Sequence, residues 1–212
     1  MPRLTRAERQ EQTRSELLEA ARQRFLVHGY AATSLDDIAE DAGYSKGAVY
    51  SNFGSKPNLC RQVLDLIHRE KFEELARLAV SDADLDTRLA AVTSWYEDTV
   101  GDIGWTMLEL EFVVVSRRDP QLTEMITTLR NEAAQSVAGV LRSLSADLAV
   151  PGDAAQVLDD IASLLLSAGI GLGIQRAIDP SIPARPATDA IRYLVNMLGA
   201  IGSSPGATVA NR

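Results

Sequence analysis

The sequence has few of the side chains on which catalytic and metal sites usually depend. It holds one cysteine, Cys60, and two histidines, His28 and His68. A single cysteine excludes an intramolecular disulfide framework, and Cys60 has no evident partner for nucleophilic catalysis. The two histidines fall in separate predicted helices without the spacing of metal ligands. We therefore predict that the chain is not an enzyme and that it binds no metal and no cofactor.

Long apolar runs are also absent. No apolar segment precedes the charged residues 5–16, TRAERQEQTRSE, so we expect no signal peptide. The most apolar stretch, residues 161–174, is shorter than the roughly 20 residues that a membrane-spanning helix needs, and we interpret it as a core helix. These features predict a cytoplasmic protein without a membrane partner.

The acidic net charge is unevenly distributed along the 212 residues. A net charge of −8 is unusual for a nucleic-acid binder. However, residues 1–60 hold eight basic and eight acidic side chains, whereas residues 61–212 hold thirteen and twenty-one. The chain also begins with Arg3, Arg6 and Arg9, followed by Arg14. Such an arm can lie along phosphates or enter a minor groove, or it can be a solvated, disordered terminus.

Residues 33–59, TSLDDIAEDAGYSKGAVYSNFGSKPNL, have the pattern of two short helices joined by a tight turn. The first helix has its apolar residues at i, i+3, i+4 and i+7, which predicts one buried face; these are Leu35, Ile38, Ala39 and Ala42. Thr33 or Ser34 can cap its beginning, and Gly43 can end it in a left-handed conformation. A preceding helix, from about Thr13 to His28, would complete a three-helix unit and end at Gly29.

The second short helix, residues 46–53, begins after the capping residue Ser45. Val49 and Phe53 point to one side, and Gly47 and Ser51 point to the other. A small, polar outer face lets the backbone come close to another molecule, and a helix, a tight turn and such a helix form the geometry that enters the DNA major groove. The same pattern also occurs in helix pairs that only pack together.

Particular residues at fixed spacing favour the DNA-binding interpretation. They are Gly29-Tyr30, Thr33, Ile38-Ala39, Ala42-Gly43, Ser45-Lys46-Gly47, Val49-Tyr50, Phe53, Ser55-Lys56 and Leu59. This set closely resembles the N-terminal signature of the TetR family of transcriptional regulators. The resemblance implies a DNA-binding head on a helical body that dimerises and binds a ligand. Two positions depart from the family pattern, because Tyr44 replaces a smaller aliphatic residue and Pro57 replaces an acid.

The expected DNA-binding residues are Thr33, Ser45, Lys46, Gly47, Tyr50, Ser51, Asn52 and Lys56. Thr33, Tyr50 and Lys56 resemble the phosphate-contacting positions of the family. Phosphate contacts position a protein on DNA, whereas contacts to base edges specify sequence. Among the exposed residues of the second motif helix, Lys46 is our candidate for a guanine contact.

The apolar periodicity of the remaining sequence predicts further helices. One of them, residues 105–116, is apolar on nearly every side and should be buried. Glu109 and Glu111 interrupt this pattern and point about 200° apart. At least one of them should be partly interior and need a partner. Arg130 or Arg142 could supply it structurally, and a cationic or hydrogen-bonding ligand could supply it functionally.

A ligand between the middle helices is a hypothesis that follows the family resemblance. The candidate lining residues are Trp95, Tyr96, Trp105, Glu109, Phe112, Met125 and Thr128. The ligand would swing the long helix that begins near Pro57, change the spacing of the two heads and so lower DNA affinity. Each of the aromatic residues can equally be an ordinary core residue.

The sequence therefore predicts an all-α protein, with an N-terminal three-helix helix-turn-helix head on a larger helical body. Residues 1–56 would form the arm and head, residues 57–202 the ligand-binding and dimerisation body, and residues 203–212 a disordered tail. The two C-terminal helices would pair with those of a second chain. The expected function is a ligand-released regulator, a repressor by resemblance, that binds a palindromic double-stranded operator as a homodimer. The alternative is a helical dimer that binds a small molecule or a protein without binding DNA.

Overall fold

A computed structural model of the chain describes residues 5–146 and 155–202. This part of the chain forms nine α-helices and contains no strand. The helices are α1 (Arg6–Ala32), α2 (Leu35–Asp41), α3 (Lys46–Phe53), α4 (Lys56–Ala79), α5 (Leu85–Thr99), α6 (Ile103–Ser116), α7 (Pro120–Ser145), α8 (Ala155–Ile178) and α9 (Arg185–Gly202). The predicted all-α class is confirmed.

The chain divides into two compact units. Among the described residues, unit 1 comprises residues 5–70 and 102–130, and unit 2 comprises residues 71–101, 131–146 and 155–202. Helices α4 and α7 contribute residues to both units. The predicted division after residue 56 differs from this one, because α6 and the first part of α7 belong to the same unit as α1–α3. The predicted tail, residues 203–212, lies outside the described residues.

Helix α1 begins seven residues earlier than the predicted start at Thr13. The hydroxyl of Thr5 accepts a hydrogen bond from the amide of Glu8, and the Glu8 carboxylate accepts one from the amide of Thr5. This reciprocal capping satisfies donors that a helix terminus leaves open. Arg6 and Arg9 are therefore helical, whereas Arg3 lies outside the described residues. At the predicted end, Gly29 interrupts the helix with φ 79° and ψ 171°, but helical residues continue to Ala32.

Unit 1 has one apolar core to which α1–α4, α6 and α7 all contribute. Its fully buried side chains include Phe25 of α1, Phe53 of α3 and Phe112 of α6. The single cysteine, Cys60, is also completely buried in this core, and burial raises the pKa of its thiol. Cys60 therefore remains protonated at neutral pH and acts as a small apolar residue.

Two sequence expectations about apolar helices are wrong for the single chain. Helix α6 was expected to be buried on every side, but it exposes Ile103, Met107, Val113, Val114 and Val115. The stretch interpreted as a core helix belongs to α8. Only 17% of the apolar window in residues 156–178 is buried, and this segment is long and apolar enough to cross a membrane by length and composition alone. Both helices therefore keep exposed apolar side chains among the residues that the structure describes.

Candidate nucleic-acid interface

Local caps define the two motif helices. Ser34 begins α2 by accepting a hydrogen bond from the Asp37 amide at 3.1 Å, while Asp37 accepts one from the Ser34 amide at 3.0 Å. The hydrogen bonds from Ser34 lower the pKa of Asp37, so the carboxylate stays charged beside the positive end of the helix dipole. Gly43 follows α2 with φ 72°, a left-handed conformation that glycine adopts without strain. Of the two capping candidates, the structure therefore uses Ser34.

Helix α3 presents a small, polar outer face. Ser45 caps its beginning by accepting a hydrogen bond from the Ala48 amide at 3.3 Å. Val49 and Phe53 are buried against the other helices of unit 1. We name the opposite side the recognition face; its exposed residues are Ser45, Lys46, Gly47, Tyr50 and Ser51. The structure brings these five predicted residues together on one exposed surface.

A carboxylate of α2 holds the amine of Lys46. Lys46 Nζ donates to Asp36 Oδ2 at 2.6 Å, and both side chains are exposed. This hydrogen bond raises the pKa of Lys46, so the amine is charged throughout the physiological range. Because an exposed ion pair contributes little stability, Lys46 can exchange Asp36 for another acceptor at small cost.

Three other predicted residues use their polar groups inside unit 1. Thr33 is only 2% exposed, and its hydroxyl donates to the Gly29 carbonyl at 2.8 Å. The Asn52 amide donates to the Ala48 carbonyl at 2.8 Å. Lys56 Nζ lies 4.3 Å from the centre of the Tyr30 ring, and burial is the main cause that lowers the pKa of Lys56. None of the three lies on the recognition face.

Arg14 makes contacts with α3 and α4 that the sequence pattern does not predict. Its guanidinium donates to the carbonyl oxygen of Asn52 at 2.9 Å and to the side chain of Gln62. It also lies 4.8 Å above the centre of the Phe53 ring, within the range of a cation–π interaction. Arg14 thus fastens the end of α3 to α1 and α4. Its partners lie 38 and 48 residues away, so no local signal could have identified them.

Tyr44, one of the two departures from the family pattern, has a contact of its own. Its hydroxyl donates to Glu16 Oε2 of α1 at 2.5 Å, and this hydrogen bond lowers the pKa of Glu16. The turn between α2 and α3 is therefore connected to α1 through a side chain. Pro57, the other departure, lies in the first turn of α4, where its missing amide hydrogen is not needed.

Comparison with known proteins identifies relatives of the segment that contains α2 and α3. Residues 17–63 match the family model of bacterial regulatory proteins of the tetR family. The HTH-type transcriptional regulator TtgR of Pseudomonas putida is 43% identical over 86 residues, which are 41% of this chain and 40% of that protein. A second Pseudomonas putida regulator, ArpR, is 44% identical over the same shares. Residues 17–63 therefore form an N-terminal domain of the tetR family. The match of this chain spans about 40% of the length of these curated relatives.

Solved structures extend the similarity, as a likeness of fold, to most of the chain. A TetR-family transcriptional regulator from Mesorhizobium loti superposes with a TM-score of 0.72 at 20% identity. The superposition covers 93% of this chain and 98% of that one. At this level of identity the likeness concerns the fold, including the N-terminal helix-turn-helix.

The seven candidate ligand residues are distributed over both units. Trp95 and Tyr96 pack in the core of unit 2, where burial raises the pKa of Tyr96. In unit 1, Trp105 and Phe112 are buried and Met125 packs against the same core. Thr128 is exposed and lines a shallow, open cleft of about 480 Å³ beside Arg117 and Arg118. No single unit contains all seven residues.

The partners of Glu109 and Glu111 differ from those expected. Glu109 pairs with His68 of α4, and Glu111 accepts a hydrogen bond from the Ala31 amide at 2.8 Å. The suggestion of Arg142 as a partner was wrong, because Arg142 pairs with Asp159 at 2.7 Å. Both glutamates are half-buried, so the inference that at least one is partly interior is confirmed. The true partners lie 41 and 80 residues away along the chain, which the sequence pattern could not show.

Proposed function

We propose that this chain is a sequence-specific DNA-binding regulator of the TetR family and that the recognition face of α3 enters the major groove. The exposed, small-sided surface around Gly47 is the observation that carries this proposal. A glycine inside a helix costs roughly 1 kcal/mol relative to alanine, and adding a Cβ at Gly47 would meet only the Ser45 side chain at 3.6 Å. The fold therefore does not require glycine at position 47. Close approach to a DNA backbone would require a residue this small.

Individual residues of the recognition face receive proposed roles from their chemistry. Lys46 would leave Asp36 and donate to a guanine edge, as expected of a flexible ammonium group at a helix N-terminus. Tyr50, which is 49% exposed, would donate to a phosphate. The buried Thr33 and the half-buried Lys56 would support the fold of the head and would not lie at the centre of the interface.

We propose a homodimer formed by α8 and α9 as the DNA-binding species. Leu164 of α8 is 67% exposed and Tyr193 of α9 is 69% exposed, and further apolar residues of both helices accompany them. A large exposed apolar surface is typical of an interface between chains. Pairing two copies about a two-fold axis would bury it and would require a palindromic operator. Such a dimer fits a cytoplasmic protein better than a membrane-spanning α8 does.

A small-molecule effector is the last part of the proposal. It would bind near some of the seven candidate residues and release the operator, which would make the chain a repressor. Trp105 is the candidate to test, because it lies on α6 inside the unit that contains the helix-turn-helix. If an effector that releases the operator is found, and Trp105→Ala leaves the affinity of the chain for that effector unchanged, this placement of the effector site is wrong.

The proposed function is tested first by selecting bound duplexes from a random DNA pool with the purified chain. We expect a palindromic sequence whose affinity falls steeply with ionic strength, because bound phosphates release counterions. The double variant Lys46→Ala with Tyr50→Phe should no longer bind the selected duplex, but it should keep its helix content and should still form a dimer. A matched control, Lys71→Ala, removes a lysine outside the head.

The alternative function is a helical dimer that binds a small molecule or a protein. It predicts no enriched duplex at any salt concentration. Retention of the operator by the double variant would instead contradict the assignment of the recognition face, even if the chain binds DNA.

A further inference from the structure

The segment that joins α1 to α2 is held by a residue distant in sequence. We name residues 29–33 the α1–α2 junction. Gly29 breaks α1 with φ +79°, and a Cβ placed on it would lie 2.4 Å from Glu111 Oε1 of α6. The carboxylate of Glu111 therefore occupies the space that the missing glycine side chain leaves free. Both the glycine backbone and its lack of a side chain are needed for this approach.

The same carboxylate makes a directed contact with the junction. Glu111 Oε2 accepts a hydrogen bond from the Ala31 amide at 2.8 Å. This amide follows the break at Gly29, where the helical ladder of α1 is interrupted. Amides at the beginning of a helical segment have no carbonyl partner within it. Glu111 thus caps the last turn of α1 from another helix, with a charge-assisted hydrogen bond of the stronger kind.

Further contacts restrict the junction from several sides. Tyr30 stacks on Phe25 and meets the edge of Phe112 on α6, with ring centres 5.9 Å and 5.8 Å apart. Lys56 Nζ donates to the Ala31 carbonyl at 3.4 Å, and Thr33 donates to the Gly29 carbonyl. The junction is therefore fixed by α1, α4 and α6 together, immediately before Ser34 begins α2.

The position of the junction determines where the motif helices begin. Helix α2 starts one residue after the cap Ser34, and α2 packs on both α1 and α3. A change in the junction would consequently tilt α2 and, with it, the recognition face. We propose that Glu111 is a positioning residue for DNA recognition, which acts through the Ala31 amide and touches no DNA itself. This inference rests on the proposed function.

The test compares Glu111→Ala with Glu111→Gln. The probes are the palindromic duplex recovered by selection and a scrambled duplex of the same length. Glu111→Ala should weaken binding of the selected duplex roughly 3- to 30-fold, the range found for residues that couple distant sites. Binding of the scrambled duplex should change less than about twofold, because it depends mainly on phosphate charge. Glu111→Gln keeps an oxygen acceptor for Ala31 and should restore most of the specific affinity.

Two controls separate positioning from loss of structure. Glu132→Ala removes an exposed glutamate of α7 and should change neither affinity. Gly29→Ala should displace the carboxylate and reproduce the loss caused by Glu111→Ala, and the double variant should lose little more than either single one. If Gly29→Ala does not fold, the two Glu111 variants decide the question alone.

Several outcomes would overturn the inference. Equal weakening of both duplexes by Glu111→Ala would show a merely structural residue, and unchanged specific affinity would show no role. A glutamine variant as weak as the alanine variant would exclude the hydrogen bond to Ala31. If the unmodified chain enriches no duplex at all, the proposed function itself fails, and the inference fails with it.

Discussion

Helices α6 and α8 are both strongly apolar, yet they use their apolar side chains differently. In α6 the large residues Trp105, Leu108 and Phe112 are buried in the core of unit 1. In α8 the buried residues are fewer and smaller, and Leu164, Ile170 and Ile178 are exposed. Apolar composition alone therefore does not say how much of a helix is buried within its own chain. In the part of the chain that the structure describes, α6 buries the larger side chains.

The largest expected effect comes from the buried side of α6. Phe112→Ala should lower the free energy of unfolding by about 3–5 kcal/mol, because it removes a fully buried ring and leaves a cavity. The Phe112 ring also contacts Tyr30 in the junction. Chemical denaturation followed by circular dichroism measures this change. If the free energy of unfolding falls by less than about 1 kcal/mol, α6 does not act as a core helix of unit 1.

A smaller effect is expected on the exposed side of α8. Leu164→Asp should weaken dimerisation about a hundredfold, roughly 2.7 kcal/mol, because the two-fold interface would bury the new charge from both chains. Analytical ultracentrifugation over a range of concentrations measures the dimer. The matched control is Val114→Asp, which introduces the same charge at a 61% exposed position of α6 and should leave the dimer intact. If Val114→Asp weakens the dimer and Leu164→Asp does not, the interface lies on α6 and not on α8.

Glycines of α6 and α8 differ in the space that surrounds them. A Cβ on Gly104 of α6 would lie 2.7 Å from the carbonyl oxygen of Leu26. Because this oxygen belongs to the backbone, it cannot move away by a change of rotamer. We expect Gly104→Ala to lower the free energy of unfolding by about 1–3 kcal/mol, as overpacking does. Thermal and denaturant unfolding would both report this loss. An unchanged stability would indicate that α1 and α6 separate readily.

The smallest effect, and of opposite sign, is expected at Gly171 of α8. A Cβ there would meet nothing within 4 Å. Gly171→Ala should raise the free energy of unfolding by about 0.5–1 kcal/mol, since alanine is the better helix former. The measurement is made on the Leu164→Asp background at low protein concentration, where the weakened dimer contributes least. If the same substitution weakens the dimer of the otherwise unchanged chain, Gly171 lies where the second chain approaches.

The helix-turn-helix could be predicted from the sequence because its signals are local. Ser34, Gly43 and Ser45 act within three or four residues of their own positions, as caps and stops do. The capping pair Thr5 and Glu8 is equally local, and it places the beginning of α1 seven residues before the predicted start at Thr13. Most of the recognition face followed from the spacing of residues on α3.

The remaining features of the candidate site depend on contacts between distant segments. No periodicity shows that Glu111 lies against Gly29, or that Thr33 turns its hydroxyl inward. The burial of α6 and α8 could not be predicted for a similar reason, because an apolar stripe does not reveal which residues cover it. The seven candidate effector residues stay a prediction, since an aromatic side chain in a helix fits a core and a binding site equally well.

The buried thiol of Cys60 makes this chain convenient for spectroscopy. Because the only native thiol is inaccessible and protonated, a cysteine introduced on the surface would be the single site that maleimide or methanethiosulfonate reagents modify. A spin label at Val27, which is 74% exposed on α1, would report the separation of the two heads in a dimer by pulsed electron resonance. The distribution of that distance, recorded with and without DNA, would show directly whether the operator selects one spacing from several.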